Sequence, residues 1–205
     1  MFYPIIFWKS QPAIYGPLWT LLMWFPAKLA GNSLFFSQFF TKLMLFVFYV
    51  LSGSQIYTIA KLSGYKNPIL YAETFLLNPF SIMIFLVDGH NDIILVFFLL
   101  WSLRELKRGN GLVAFLAFVL SFLSKYITVI FAPFYIMYYL KKYREWGKRV
   151  VFAVWALVIG SLVCFFVIKP FWCGMKFFEG LSCARAEFHE NAITYVWYKI
   201  FLVFI

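Results

Sequence analysis

Charge is scarce in this chain. Only 13% of its 205 residues are Asp, Glu, Lys or Arg, and residues 1–14 hold neither Asp nor Glu. Cysteine is rarer still: Cys164, Cys173 and Cys183 stand at spacings that match no metal-ligand pattern. Met1-Phe2-Tyr3-Pro4 offers no basic stretch before an apolar core, and no small-residue cleavage site follows, so a cleavable signal peptide is not expected. The shortage of charge excludes a soluble globular domain. Hydrophobic residues make up 64% of the chain, aromatic residues 24%, and the mean hydropathy is +0.84. A water-soluble fold of this size cannot bury that much apolar surface, which leaves an integral membrane protein. The net charge of +10 would point to nucleic acid in a soluble protein. Here the basic residues gather at the ends of apolar runs, as the positive-inside rule requires, and no nucleic-acid partner is expected.

What is present reads as a single all-α transmembrane domain, a polytopic helix bundle of about six to seven membrane helices with interfacial helices. Residues 1–33 are broken by four prolines and crowded with aromatic rings, which suits an outer interfacial segment. Pro17 fits the first turn of a short helix there, and Gly31-Asn32 its end. Residues 34–168 form the bundle. Its spans are expected at Leu34 to Ala60, Pro68 to Val87, Ile93 to Leu103, Leu112 to Leu123, Ile127 to Leu140 and Val150 to Ile168. The two runs around Lys125 read as two short helices meeting there, with one long kinked helix as the alternative. Glu73 lies near the edge of its span, and Lys42 near the start of the first can snorkel. Residues 169–191 make an outer loop, and residues 192–205 begin a further membrane helix, so the sequence is expected to be incomplete at both ends. Ten Lys/Arg, at positions 61, 66, 104, 107, 108, 141, 142, 144, 148 and 149, share one side, which is therefore cytoplasmic.

The polar clusters then fall on the opposite, outer or lumenal side. Asp88-Gly89-His90-Asn91-Asp92 interrupts two apolar runs. Gly89 can make a turn and Asn91 or Asp92 can cap the next helix. Such a cap does not exclude function, because a helix N-terminus also binds phosphate. Asp88 and Asp92 with His90 offer a partial set for a divalent metal, although no further ligands are apparent and no metal residue is assigned. Lys125, beside Tyr126, is either a snorkelling lysine or a cation placed to neutralise a lipid-linked phosphate. In residues 169–191, Arg185 and His189 would share a helix face. Cys173 and Cys183 are either free thiols or a disulfide on an oxidising side.

Four stretches together resemble the GT-C superfamily of polytopic glycosyltransferases. They are Tyr15-Gly16-Pro17-Leu18; Asn78-Pro79 with Gly89-His90-Asn91-Asp92; Ser124-Lys125-Tyr126 with Ala132-Pro133; and Lys169-Pro170-Phe171-Trp172 with Gly174. The chain most resembles the polyprenol-phosphate-mannose-dependent mannosyltransferases of prokaryotes. The resemblance implies transfer of a hexose, here mannose, from a polyprenyl-phosphate donor to a hydroxyl of a lipid- or glycan-linked acceptor. It places the protein as a multi-pass protein in a prokaryotic plasma membrane or a eukaryotic endoplasmic reticulum. On this reading Lys125 takes the phosphate with Arg185 as a second cation. Tyr15, His90, Asn91 and Tyr126 line the substrate, and Asp88 or Asp92 is the base. The family carries its catalytic aspartate in a large outer loop after a first membrane helix, and residues 1–14 hold no acidic residue to match it. Two other readings remain open: a transporter or flippase for a lipid-linked substrate, and a non-catalytic membrane subunit. The first would show charges near the midplane and paired broken helices, and no internal repeat is visible.

Overall fold

A computed structural model of the chain describes residues 15–172 and 174. The chain divides into two units, one made by Gly16–Pro170 and the other by Met1–Tyr15 with Phe171–Ile205. The first unit carries the described helices, and every regular element among the described residues is helical. In order they are α1 (Pro17–Ala30), α2 (Leu34–Leu62), α3 (Pro68–Leu76), α4 (Pro79–Ile82) running on as a π-helical turn (Met83–Val87), α5 (Asp92–Arg108), α6 (Gly111–Ser124), a 3-10 segment (Tyr126–Phe131), α7 (Ala132–Lys142) and α8 (Trp146–Ile168), which a 3-10 turn (Lys169–Phe171) extends.

Helix ends follow local chemistry. Pro17 opens α1, where its missing N–H costs nothing. Gly31, at φ +55°, closes it, as the sequence predicts. The Ser33 hydroxyl accepts the Phe36 N–H at 3.3 Å and caps α2. The predicted span Pro68 to Val87 is instead broken. Pro79 has no N–H to give to the Phe75 carbonyl four residues back, and the Phe80 N–H goes to Asn78 Oδ1 at 2.9 Å. The carbonyls of Phe75 and Leu76 thus lose their ordinary helical donors. Buried Tyr49 of α2 compensates, its one hydroxyl proton shared between them at 2.9 Å and 3.0 Å, while the Asn78 N–H lies 3.4 Å from the Phe75 carbonyl. The two halves meet at 51°.

Among the described residues, two helices are long and apolar enough to cross a membrane, Leu34–Leu62 and Trp146–Phe171; the bent pair makes a third if it counts as one span. Only 11% and 17% of their most apolar windows are buried. Phe35 and Leu157 face outward at 73% and 71% exposure. That is the arrangement hydrocarbon asks for, with apolar side chains turned out and backbone polar groups paired within the helix. The expected six to seven spans also count the apolar runs that become α5, α6 and α7. However, α6 with 14 residues and α7 with 11 reach only about 21 Å and 17 Å.

Leu18, Leu45, Tyr49, Ile93, Ile94, Phe98, Leu123 and Val167 form the buried core, which draws on α1, α2, α5, α6 and α8. Hydroxyls set the helix register around it. Ser121 of α6 donates to the Leu95 carbonyl of α5 at 2.9 Å. Tyr135 of α7 donates to the Ser102 hydroxyl at 2.7 Å, and Ser102 to the Ala114 carbonyl at 2.5 Å. These bonds lay α6 antiparallel to α5 and bring α7 back alongside both.

At its far end, past the apolar stretch 93–103, α5 buries Glu105. Its carboxylate meets Arg104 at 2.7 Å, Arg108 at 3.3 Å and the Asn110 amide at 2.7 Å. Burial alone would raise this carboxyl, but the Asn110 and Arg104 hydrogen bonds and the two guanidinium charges outweigh it and hold it below its ordinary value of 4.5. A depressed folded-state value stabilises the fold above the ordinary carboxylate range. That contribution is lost as pH falls from about 4.5 through the folded value. Thermal unfolding in detergent is therefore expected to drop across that window. Glu105→Gln should cost about 1.5 kcal/mol at neutral pH and flatten the acid-side slope.

Candidate substrate site at the start of α5

The break that opens α5 is built from the residue types that stop helices. The π-helical turn ends at Val87, and the Asp88 N–H reaches back to the Met83 carbonyl at 2.8 Å. Gly89 then adopts φ +76°, a left-handed conformation that a Cβ disfavours. The His90 N–H closes the turn on the Ile84 carbonyl at 3.0 Å. Asn91 occupies the N-cap position without a side-chain cap bond, and Asp92 is the first residue of α5. The expected turn at Gly89 is there. The expected cap is one of position only, which leaves the Asn91 amide and both Asp92 oxygens for other partners.

On the next helix, Lys125 ends α6 in an extended conformation, φ −158° and ψ 124°. The break separates α6 from the 3-10 segment, so the two-helix reading of residues 112–140 holds and the single kinked helix does not. Lys125 Nζ lies 2.6 Å from Asp92 Oδ1. Asp92 Oδ2 lies 3.7 Å from His90 Nδ1. The side chains of Lys125 and Asp92 are 37% and 33% exposed, enough to be reached by a ligand and too exposed for a buried structural pair. Buried Thr128 anchors the turn beyond, its hydroxyl donating to the Lys125 carbonyl at 3.3 Å. The Tyr126 ring packs edge-on against Phe122 at 5.3 Å.

A second predicted stretch converges on the same place. Gly16 packs directly on the end of α6, its N–H donating to the Ser124 carbonyl at 3.2 Å. A Cβ there would sit 2.1 Å from the Leu123 carbonyl oxygen, so only glycine allows the approach. Leu18, two residues on, is buried in the core. The motifs Gly16-Pro17-Leu18, His90-Asn91-Asp92 and Ser124-Lys125, far apart in sequence, thus meet at one end of the bundle.

Other predicted residues fall differently. Asp88 is exposed, and its carboxylate has no partner among the described residues. Tyr15 is exposed and belongs to the other unit. Arg185, His189, Cys173 and Cys183 lie outside the described residues. Among the described residues, no three His, Cys, Asp or Glu gather to hold a metal ion, so Asp88, His90 and Asp92 do not form a ligand set. One neighbour escaped sequence reasoning. Lys42 of α2 does not simply snorkel. Its ammonium donates to the Val87 carbonyl at 2.9 Å and fixes the end of the π-helical turn beside Asp88. A lone lysine at the start of a long apolar helix was the available signal.

Comparison with known proteins gives one result. No curated protein and no solved structure matches the chain. A family model described as alpha-(1->6)-mannopyranosyltransferase, N-terminal domain, matches residues 5–141, well over half the chain and inclusive of Gly16, Asp92 and Lys125. The sequence resemblance to membrane mannosyltransferases is borne out at that level, and the chain belongs to the alpha-(1->6)-mannopyranosyltransferase family through its N-terminal domain.

Proposed function

We propose that this glycosyltransferase takes mannose from a polyprenyl-phosphate donor and passes it to a hydroxyl of a lipid- or glycan-linked acceptor at the Asp92 end of the bundle. The observation that carries the reading is the Lys125–Asp92 pair, an ammonium held at 2.6 Å across two helices at the edge of an apolar bundle. A lipid-linked donor needs its phosphate at such an edge and its tail among apolar side chains. On this reading α5, α6 and α7 also lie across the bilayer, and the Asp92 end faces outward.

The reaction replaces one bond by another. The acceptor oxygen bonds to the anomeric carbon of mannose while the bond from that carbon to the phosphate oxygen breaks. The electron pair leaves with the polyprenyl phosphate, and Lys125 offsets the charge that develops there. The acceptor proton goes to a carboxylate. Asp92 is already engaged by Lys125 and His90, which makes it the residue that aims the ammonium. Asp88, exposed at the same turn, is the freer base. His90, Asn91 and Tyr126 surround the sugar, and the Arg185 and Tyr15 assignments extend the same proposal.

The test uses protein made from the complete reading frame and reconstituted in liposomes. It is offered polyprenyl-phosphate mannose or a nucleotide-linked mannose, with a glycolipid extract as acceptor. Labelled product from the lipid-linked donor alone is expected. Product from the nucleotide sugar alone would overturn the donor assignment, and no product from either would overturn catalysis by this protein.

A further inference from the structure

At the end of the bundle away from Asp92, α6, α7 and α8 diverge around an apolar cavity of about 470 Å³. Phe115 and Phe118 of α6, Ile136 and Leu140 of α7, and Val150 and Ala153 of α8 line it. Two of the three tyrosines among its walls have their hydroxyls bonded elsewhere. Tyr135 donates its hydroxyl to Ser102, and Tyr139 donates to the Gly111 carbonyl at 2.8 Å. Tyr139 also stacks on Phe152 at 4.3 Å, which completes a dry wall. With the Tyr135 and Tyr139 hydroxyls already bonded, the inner part of the cavity suits hydrocarbon.

The mouth has the opposite character. Tyr143, Trp146 and Arg149 border it, and Lys141, Lys142, Arg144 and Lys148 flank them. Glu145 is the only acidic residue in 141–149, and its ion pair goes to Lys148 at 2.8 Å. Five cations therefore face one carboxylate. Lys142 is spent on the Gly109 carbonyl. Arg149 donates to the Tyr143 carbonyl at 2.6 Å and the Leu140 carbonyl at 3.1 Å. That leaves three of its five N–H donors without a partner among the described residues. Trp146, 75% exposed, sits where an indole marks the headgroup level.

An apolar slot that opens beside five cations and one carboxylate has the chemistry of an anionic phospholipid: an acyl chain in the slot and a phosphate over the excess positive charge. We propose that this groove is a binding site for an anionic membrane phospholipid, on the side of the membrane opposite the Lys125–Asp92 pair. The charge asymmetry chooses the headgroup and the dry walls choose the chain. The side of the membrane rests on the orientation proposed above, and the groove itself takes neither the mannosyl donor nor the acceptor.

The probe is phosphatidylglycerol against phosphatidylcholine, offered in equal amounts to the detergent-purified protein and read as retained lipid by native mass spectrometry. Phosphatidylglycerol is expected to be retained about tenfold over phosphatidylcholine. Arg144→Gln with Lys148→Gln, both on exposed side chains, should remove that preference. Ala153→Trp, which fills the groove without changing charge, should reduce retention of both lipids. Lys61→Gln with Lys66→Gln, basic residues of another loop, should leave the preference intact. Equal retention of the two lipids by the unaltered protein would overturn the proposal. So would a preference that survives Arg144→Gln with Lys148→Gln, full retention in Ala153→Trp (as when a helix of a second copy or a partner closes the groove), or an equal loss in the Lys61/Lys66 variant.

Discussion

Lys125→Ala is expected to slow mannosyl transfer about a hundredfold, with the fall in kcat rather than in KM. An ammonium aimed at a departing phosphate works on charge that grows only in the transition state, and the loss of one such donor costs about 10²–10³ in rate. The competing view makes the Lys125–Asp92 pair a staple between α5 and α6. Magnitudes separate the two. With side chains 37% and 33% exposed, the pair contributes about 0–1 kcal/mol as a staple. A lost staple would shift thermal stability slightly and change the rate by roughly fivefold at most. A hundredfold loss with unaltered melting therefore assigns the ammonium to the reaction. Asp92→Asn removes the aim and leaves the charge, so a smaller loss, about tenfold, is expected. Because Asp92 acts through Lys125, the double variant should be no slower than Lys125→Ala alone. Additive losses would instead give Asp92 a role of its own, as acceptor base.

Lys125 and Asp92 were both legible in the sequence as polar residues on one side of an apolar chain. Their pairing was not. It depends on the axial register of α5 against α6, and hydropathy carries no register. Side-chain hydroxyls set it, Ser121 on Leu95 and Ser102 on Ala114, and in the sequence these are two serines among apolar neighbours. The halt of α6 at Lys125 could be read, because a charge splits the apolar run there. The break at Asn78-Pro79 could be seen as a motif but not as a bend of 51°. Its cost depends on whether another helix brings a donor, and that donor is Tyr49, 26 residues upstream of Phe75. Lys42 looked like a snorkelling side chain because its partner is a backbone carbonyl, which has no signature in sequence. The number of spans depends on two different properties. Apolar runs count segments that enter the bilayer, while length decides which of them can cross it alone.

Gly16→Ala is expected to destabilise the fold by about 3 kcal/mol and to cost transfer beyond that. An added Cβ would lie 2.1 Å from the Leu123 carbonyl oxygen and 2.8 Å from the Ser124 carbonyl carbon. Those atoms are backbone at the end of a helix and cannot swing aside as a side chain would. Overpacking a core costs about 1–3 kcal/mol where neighbours can yield, and here they yield only if α1 lifts from α6. Lifting it breaks the bond from the Gly16 N–H to the Ser124 carbonyl and uncovers Leu18. Since Ser124 immediately precedes Lys125, losing that bond is expected to loosen the backbone that aims the ammonium at Asp92. The rate should therefore fall more steeply than the folded fraction does, which distinguishes a displaced site from a merely weakened fold. Gly147→Ala provides the contrast. Gly147 lies in the first turn of α8 with open space where its Cβ would go, so alanine there is expected to be neutral or slightly stabilising. Thermal unfolding of the two variants in the same detergent reads the difference, and equal melting would mean that the Gly16–Leu123 contact does not hold α1 on α6. A Gly16→Ala variant that melts early yet keeps full activity in its folded fraction would confine Gly16 to stability and separate the Tyr15-Gly16-Pro17-Leu18 stretch from the site at Lys125.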